Sequence, residues 1–479
     1  MQTAMDVLNT QFNYAVILGG GPSGLAAGYA LSEAGSNVLL IERQARVGGL
    51  ARTIEHHGFR FDLGGHRFIT GNKQLENLVR EILRGELLEV DRSSKILLDG
   101  KFYDYPITVR NALSRLGLRK STRIVADYLS EQVRRRFTKT TAISLEDWVV
   151  QHFGRSLFEL FFKEYSEKVW GVPCDRIARE WVARRIKGLS LGVAIKTAFS
   201  RAGSQRVRTL SSQFLYPPLG IGQICDGLKA RIDKVGQVMT DTAVIGINHA
   251  DNRIQSIIVK DAGGVQGYAG YEFISSIPLT LVVQLLNPQP PAEILQAAAS
   301  LRFRDLIVVT VMINRERVTD QTWIYVPDST IPFGRIHEPK NWSARMAPHG
   351  KTHLVVEYFC FKEDDIWTAT DTALAQRTVR ELSELGILEP EEVYDSIVLR
   401  VPNAYPLFDV DYIEKQQCIV EYLDRFTNLE LVGRGGQFEY YNTDHAMESG
   451  IAAAEAIIAR IDGTVAVRTP VLAAGRART

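Results

Sequence analysis

Glycines at 19, 21 and 24 follow the apolar run Ala15-Val16-Ile17-Leu18 and open a small-residue stretch, Leu25-Ala26-Ala27-Gly28. A second apolar run, Val38-Leu39-Leu40-Ile41, ends at Glu42. This spacing suits capture of a dinucleotide diphosphate. Gly19 permits the tight turn out of a strand, and Gly21 lets backbone N–H groups approach a pyrophosphate at a helix N-terminus. Gly24 lets helix and strand pack closely, and Glu42 is placed to accept from a ribose hydroxyl.

The next stretch holds Arg43, Arg46, Gly48, Gly49, Leu50 and Arg52, and a second glycine turn follows at Gly64-Gly65-His66. Paired glycines admit backbone to a diphosphate and to the edge of a flavin, and arginines neutralise phosphate charge. The combination resembles the second phosphate-contacting loop of the FAD superfamily that holds amine oxidases, protoporphyrinogen oxidases, carotenoid desaturases and UDP-galactopyranose mutases. The resemblance implies FAD as cofactor.

Five runs, in order, resemble the UDP-galactopyranose mutases: Gly64-Gly65-His66; Lys168-Val169-Trp170-Gly171-Val172-Pro173 with Trp181-Val182-Ala183-Arg184-Arg185; Trp323-Ile324-Tyr325-Val326-Pro327; Ala404-Tyr405-Pro406; and the segment from Gly433 and Arg434 through Asn442, Asp444 and His445. The resemblance implies a diphosphate contact at Arg185 and a second at Arg315. It implies that His66, Tyr325 and Tyr405 shape the substrate face of the flavin, and that Asn442 orients a sugar or phosphate oxygen. Gly433, Arg434, Asn442, Asp444 and His445 fall on the cofactor, where a helix starting near His445 would stabilise a reduced, anionic flavin. Two positions depart from the pattern. Phe438 stands where the mutases carry a diphosphate-contacting tyrosine, and Asn314 stands at the nominal place of the second arginine, one residue before Arg315.

The implied reaction is a redox-neutral pyranose/furanose interconversion in which N5 of the reduced flavin is the nucleophile. The substrate would be a sugar nucleotide or a lipid-linked sugar phosphate, with an external reductant such as NADPH keeping the flavin reduced. Two other readings stand beside it: a flavin oxidoreductase, like protoporphyrinogen oxidase or a desaturase, acting on an apolar or isoprenoid substrate, and a non-catalytic flavin-binding scaffold.

These residues need an α/β frame. Strand, helix, strand and glycine loop occupy the first ~70 residues, helical periodicity dominates to about residue 200, and strand-like runs return at Thr242 to Asn248, Arg253 to Lys260 and Tyr271 to Ser276 and again from about 304 to 400. We expect a Rossmann-like FAD-binding domain built from 1–75, 205–280 and 400–465, a helical insertion over 76–204, a sheet-rich substrate domain over 281–399, and a flexible tail over 466–479. The discontinuous plan follows from the resemblance. With 479 residues and 45% hydrophobic content the chain can bury such a core, and 56 basic against 55 acidic residues give no charge bias towards nucleic acid. Cysteines at 174, 225, 360 and 418 form no CxxC pair, so neither structural zinc nor a disulfide framework is expected, and no metal is. The first residues show no charged, apolar leader and no apolar run approaches the ~20 residues that span a bilayer, which reads as cytoplasmic. The basic run from Arg176 to Arg208 suits a solvated face, an anion funnel or a peripheral membrane contact.

Overall fold

The computed structural model describes residues 8–9, 14–98, 100–105, 109–137, 141–185 and 213–463. Ala15–Leu18, buried at every position, is the middle strand of a five-stranded parallel sheet. The order is Gln237–Met239, Val38–Ile41, Ala15–Leu18, Glu272–Ser275, Leu429–Leu431. Both faces of such a sheet must be covered, and alternate side chains divide accordingly. Ile17 and Leu40 pack under the helices Pro22–Glu33, Gly222–Ile232 and Thr443–Ile461. Val16 and Leu39 pack against the antiparallel strands Ala243–Ala250 and Arg253–Asp261. Small residues bring the first and last helices together: a Cβ on Gly450 would lie 2.0 Å from the Ser23 carbonyl oxygen.

The second large sheet has seven strands, ordered Val393–Pro406, Phe303–Ile313, Thr352–Cys360, Arg335–His337, Trp323–Tyr325, Ser94–Leu98, Lys101–Tyr105. Its last two strands lie in the stretch expected to be a helical insertion. They form an antiparallel hairpin in which Leu98 pairs with Lys101, and the sequence between them, Asp99-Gly100, is a dipeptide that favours tight hairpin turns. The remainder of that stretch is mainly helical, with Val109–Phe137, Leu145–Phe153, and a run from Arg155 to Trp170 that contains a π-helical turn at Glu159–Lys163. Ser144 caps Leu145–Phe153 in a reciprocal pair with Asp147. Among the described residues no helix is long and apolar enough to cross a membrane.

Asp62 ties Thr53 to the segment from Tyr216 to Ile221 that leads into Gly222–Ile232. It is 1% exposed and accepts from the Thr53 hydroxyl at 2.6 Å, the Tyr216 hydroxyl at 2.6 Å and the Ile221 N–H at 3.2 Å. Burial raises its carboxyl pKa to about 7, against the pull of those three donors. The folded value lies above the unfolded one of 3.8, so the native state favours the protonated form. This contribution is complete below the unfolded pKa and is lost as pH rises through about 7. Urea unfolding at about pH 5 and about pH 8 is expected to show a fall in stability with pH that is weaker in Asp62→Asn. An equal pH dependence in both proteins would contradict the assignment.

Candidate active site

Leaving Ala15–Leu18 the chain turns at Gly19, φ +99°, and enters Pro22–Glu33 with Gly21 as N-cap. A Cβ on Gly24 would stand 2.1 Å from the Gly19 carbonyl oxygen, whereas one on Gly21 would meet no protein atom within 4 Å. Packing therefore fixes Gly24, while Gly21 borders open space at a helix N-terminus whose first turn carries no acid. The Gly48 N–H donates to the Gly20 carbonyl at 2.7 Å, and a Cβ on Gly49 would lie 3.3 Å from Gly21 Cα, so the two glycine loops abut. Glu42 is 6% exposed and accepts from the Gly20 and Gln44 N–H groups, both at 2.8 Å. Each of its oxygens keeps a further lone pair for a ribose hydroxyl. Arg43 is exposed beside it, and Leu50 lies half-buried in the turn Gly49–Ala51. Arg52 Nε is buried against Gly48 with no hydrogen-bond partner among the described residues. An open glycine cradle beside an unsatisfied guanidinium N–H fits a dinucleotide diphosphate.

Farther along, a Cβ on Gly65 would fall 1.6 Å from a carbon of the Trp323 ring, so only glycine fits there. The neighbouring Gly64, φ +100°, accepts at its carbonyl from His66 Nδ1 at 3.3 Å. A carbonyl can only accept, so Nδ1 carries the hydrogen and Nε2 keeps its lone pair. Burial, then the positive charges of Arg434 and Arg335, lower the His66 pKa to about 4, and the ring is neutral at pH 7.

Facing this turn, Arg335 is tied on two sides. Its Nη2 lies 3.0 Å from the Tyr405 hydroxyl and 3.0 Å from Glu357 Oε2, and Glu357 is 0% exposed. Burial pushes the Arg335 pKa down, but the Glu357 carboxylate and Tyr405 more than offset it, and the guanidinium stays charged. Arg335 Nε is buried without a hydrogen-bond partner among the described residues. The Tyr405 ring lies parallel to Tyr440 at 6.2 Å, and the Arg434 guanidinium stands 5.2 and 5.3 Å from these two rings. Arg434 in turn donates to the Tyr441 carbonyl at 2.8 Å and to the Ala404 carbonyl at 3.2 Å, locking the two tyrosine-bearing segments together. Gly433, φ +77°, precedes it against Ser23. Asn442 is the N-cap of Thr443–Ile461 and is exposed, with no side-chain cap bond. Asp444 is buried in the first turn, 3.6 Å from Nδ1 of the exposed His445. Tyr325 packs on Tyr105 at 4.8 Å and Tyr165 at 5.6 Å.

A model of the family described as flavin containing amine oxidoreductase matches residues 22–458. The chain belongs to that family. Its cofactor is FAD. Chloroplastic protoporphyrinogen oxidase 1 of Spinacia oleracea is 23% identical over 448 residues, covering 83% of this chain and 76% of that enzyme. A probable UDP-galactopyranose mutase of Klebsiella pneumoniae is 25% identical over 160 residues, 33% of this chain and 41% of that protein. Among solved structures, a reduced UDP-galactopyranose mutase superposes with a TM-score of 0.80 at 22% identity, covering 96% of this chain and 98% of that one. A putative protoporphyrinogen oxidase from Exiguobacterium sp. 255-15 gives 0.71 at 19%, covering 94% and 99%. The flavoprotein thus shares the fold of both enzymes.

One sequence expectation needs correction. Arg315 is not at the site. Phe303–Ile313 pairs antiparallel with Val393–Pro406, setting Phe303 opposite Pro406 and Ile313 opposite Val393. Arg315 therefore lies beyond the far end of an 11-residue strand, about 30 Å from the Tyr405 end. There it pairs with Glu392 at 3.1 Å, and the Asn314 N–H is bound to the Glu392 carbonyl. Arg335, rather than Arg315, stands beside Tyr405. Its cross-strand partner is Tyr325, so a hairpin read between Tyr325 and Gly334-Arg335 would have found it. Phe438 remains the departure that the sequence shows. Phe438, 0% exposed with φ +53°, turns inward against Phe303, Phe408 and Tyr412, and Tyr440 supplies the aromatic hydroxyl beside Tyr405. Arg185 ends the helix Arg179–Arg185, but its side chain lies outside the described residues, as does the basic run beyond it.

Proposed function

We propose that this flavoprotein is a sugar-nucleotide mutase interconverting pyranose and furanose rings. The observation that carries the reading is Arg335: a charged guanidinium held at the buried wall by Glu357 and Tyr405, with an N–H still to be satisfied. A nucleoside diphosphate leaving an anomeric carbon gathers negative charge, and prepositioned donors stabilise that charge most where water is excluded. Reduced FAD supplies a nucleophile, N5, for the anomeric carbon. The chain's own residues then have distinct work. Arg335 holds the diphosphate, with the Tyr405 and Tyr440 hydroxyls as further donors and Arg185 as a second cation. His66, neutral, offers Nε2 as an acceptor on the flavin side. Asn442 orients a sugar or phosphate oxygen, and Trp170 and Trp323 keep water from the wall. A reductant such as NADPH is needed to prime the enzyme but is not consumed in each turnover.

A second reading is an oxidoreductase of the protoporphyrinogen oxidase kind, favoured by the extent of the spinach match and by the aromatic lining of Tyr105, Tyr165, Tyr325 and Trp323. Ligand preference tests the two. Titration of the FAD-loaded protein, followed by flavin fluorescence, is expected to show saturable binding of UDP-sugars and UDP and none of protoporphyrinogen or isoprenoids. The reverse preference would reject the mutase.

A further inference from the structure

The hairpin Thr53–His56 and Phe59–Asp62 closes through His57 and Gly58, whose φ values of +50° and +84° mark a two-residue turn with both central residues left-handed. Asparagine and glycine fill such turns readily, and histidine is among the non-glycine residues that tolerate the left-handed conformation. Here it directs a second imidazole to the same place as its neighbour's. His56 Nε2 lies 3.0 Å and His57 Nδ1 2.8 Å from one oxygen, Oδ2, of Asp395, and the two ring centroids are 4.0 Å apart. Among the described residues this is the one group of three such side chains that could hold a metal ion, its ligand atoms all within 4.8 Å of one another.

We propose that His56, His57 and Asp395 form a binding site for a borderline divalent transition-metal cation of the zinc class. The argument is geometric and chemical. Two imidazole nitrogens and a carboxylate oxygen are the donors such cations prefer, and three protein ligands leave a position for water. Ligands about 2.0–2.2 Å from a tetrahedral zinc stand roughly 3.3 Å apart, so the present 2.8 and 3.0 Å contacts would open by a few tenths of an ångström when the cation replaces the ring hydrogens, and the two ring nitrogens, now within 4.8 Å of each other, would settle to a similar separation. His57, with a side chain 71% exposed, leaves the site open to solution. Asp395 belongs to the strand that ends at Tyr405 and Pro406, and the hairpin carries Thr53 and Asp62. A bound cation would therefore staple the cofactor-side hairpin to the substrate sheet. The site is separate from the flavin cradle and does not depend on the mutase reading.

The test uses full-length, FAD-loaded protein freed of metal by chelation. Calorimetric titration with Zn2+ is expected to show one saturable equivalent, and Co2+ is expected to give the visible absorption of a low-coordinate complex. His57→Asn preserves the left-handed turn, and Asp395→Asn preserves size; each is expected to weaken Zn2+ binding by about 100-fold or more while FAD content stays the same. Failure of the wild-type protein to bind Zn2+ stoichiometrically, or unchanged affinity in either variant, would overturn the proposal.

Discussion

Removal of Arg335 is expected to weaken nucleoside diphosphate binding by about 10- to 150-fold, the equivalent of ~1.5–3 kcal/mol for a charge-assisted contact. The same change leaves Glu357, 0% exposed, without its cation, and breaking a buried pair from one side costs about 3–5 kcal/mol of stability. Arg335→Ala alone therefore confounds folding with binding. Arg335→Ala combined with Glu357→Gln removes the stranded charge, so stability should largely return while UDP binding stays weak. Arg335→Lys keeps the charge but loses the planar fork and should bind at an intermediate level. Urea unfolding and UDP titration of the three variants separate the effects. Wild-type UDP affinity in the double variant would remove Arg335 from the binding site.

Gly21 and Gly24 should fail in different ways. A Cβ on Gly21 would meet no protein atom within 4 Å, so Gly21→Val is expected to leave a folded but colourless protein, its valine occupying the diphosphate's approach. On Gly24 even a Cβ would stand 2.1 Å from the Gly19 carbonyl oxygen, so Gly24→Ala should destabilise the domain itself, by about 1–3 kcal/mol or more. Absorbance of purified protein with circular dichroism and thermal melts reads both. FAD retained at wild-type stoichiometry in Gly21→Val would place the diphosphate elsewhere.

The cofactor half of the molecule was legible because its chemistry is local. The turn Gly19 to Gly24, the strand ending at Glu42 and the Gly48-Gly49 loop are short runs whose residue types serve one purpose, and the structure brings the two glycine loops into contact. The proposed substrate wall depends on pairings between distant segments, which no short run encodes. Arg335 faces Tyr325 only because a hairpin sets that register, and it meets Glu357 on the next strand. Arg315 sits one residue from the nominal motif position, yet the antiparallel register carries it to the far end of its strand. Tyr440 rather than Phe438 borders Tyr405 because the left-handed backbone at Phe438 turns that ring into the core. The hairpin that pairs Leu98 with Lys101 was within reach of turn chemistry through the dipeptide Asp99-Gly100 in the sequence, but helical periodicity on either side hid it. The pairing of His56 and His57 with Asp395 spans more than three hundred residues and has no local signature.

The most direct measurement is the electron balance of turnover with UDP-galactopyranose and its furanose isomer. Protein reduced once with dithionite under anaerobic conditions, then freed of excess reductant, is expected to interconvert the two isomers through many turnovers with the flavin still reduced and no electrons consumed. Oxidised protein should be inactive, and its flavin should keep its colour in the presence of either isomer. Bleaching of the oxidised flavin by substrate, with an acceptor needed for each further turnover and no isomerisation by the reduced protein, would contradict the account and make this family member an oxidoreductase.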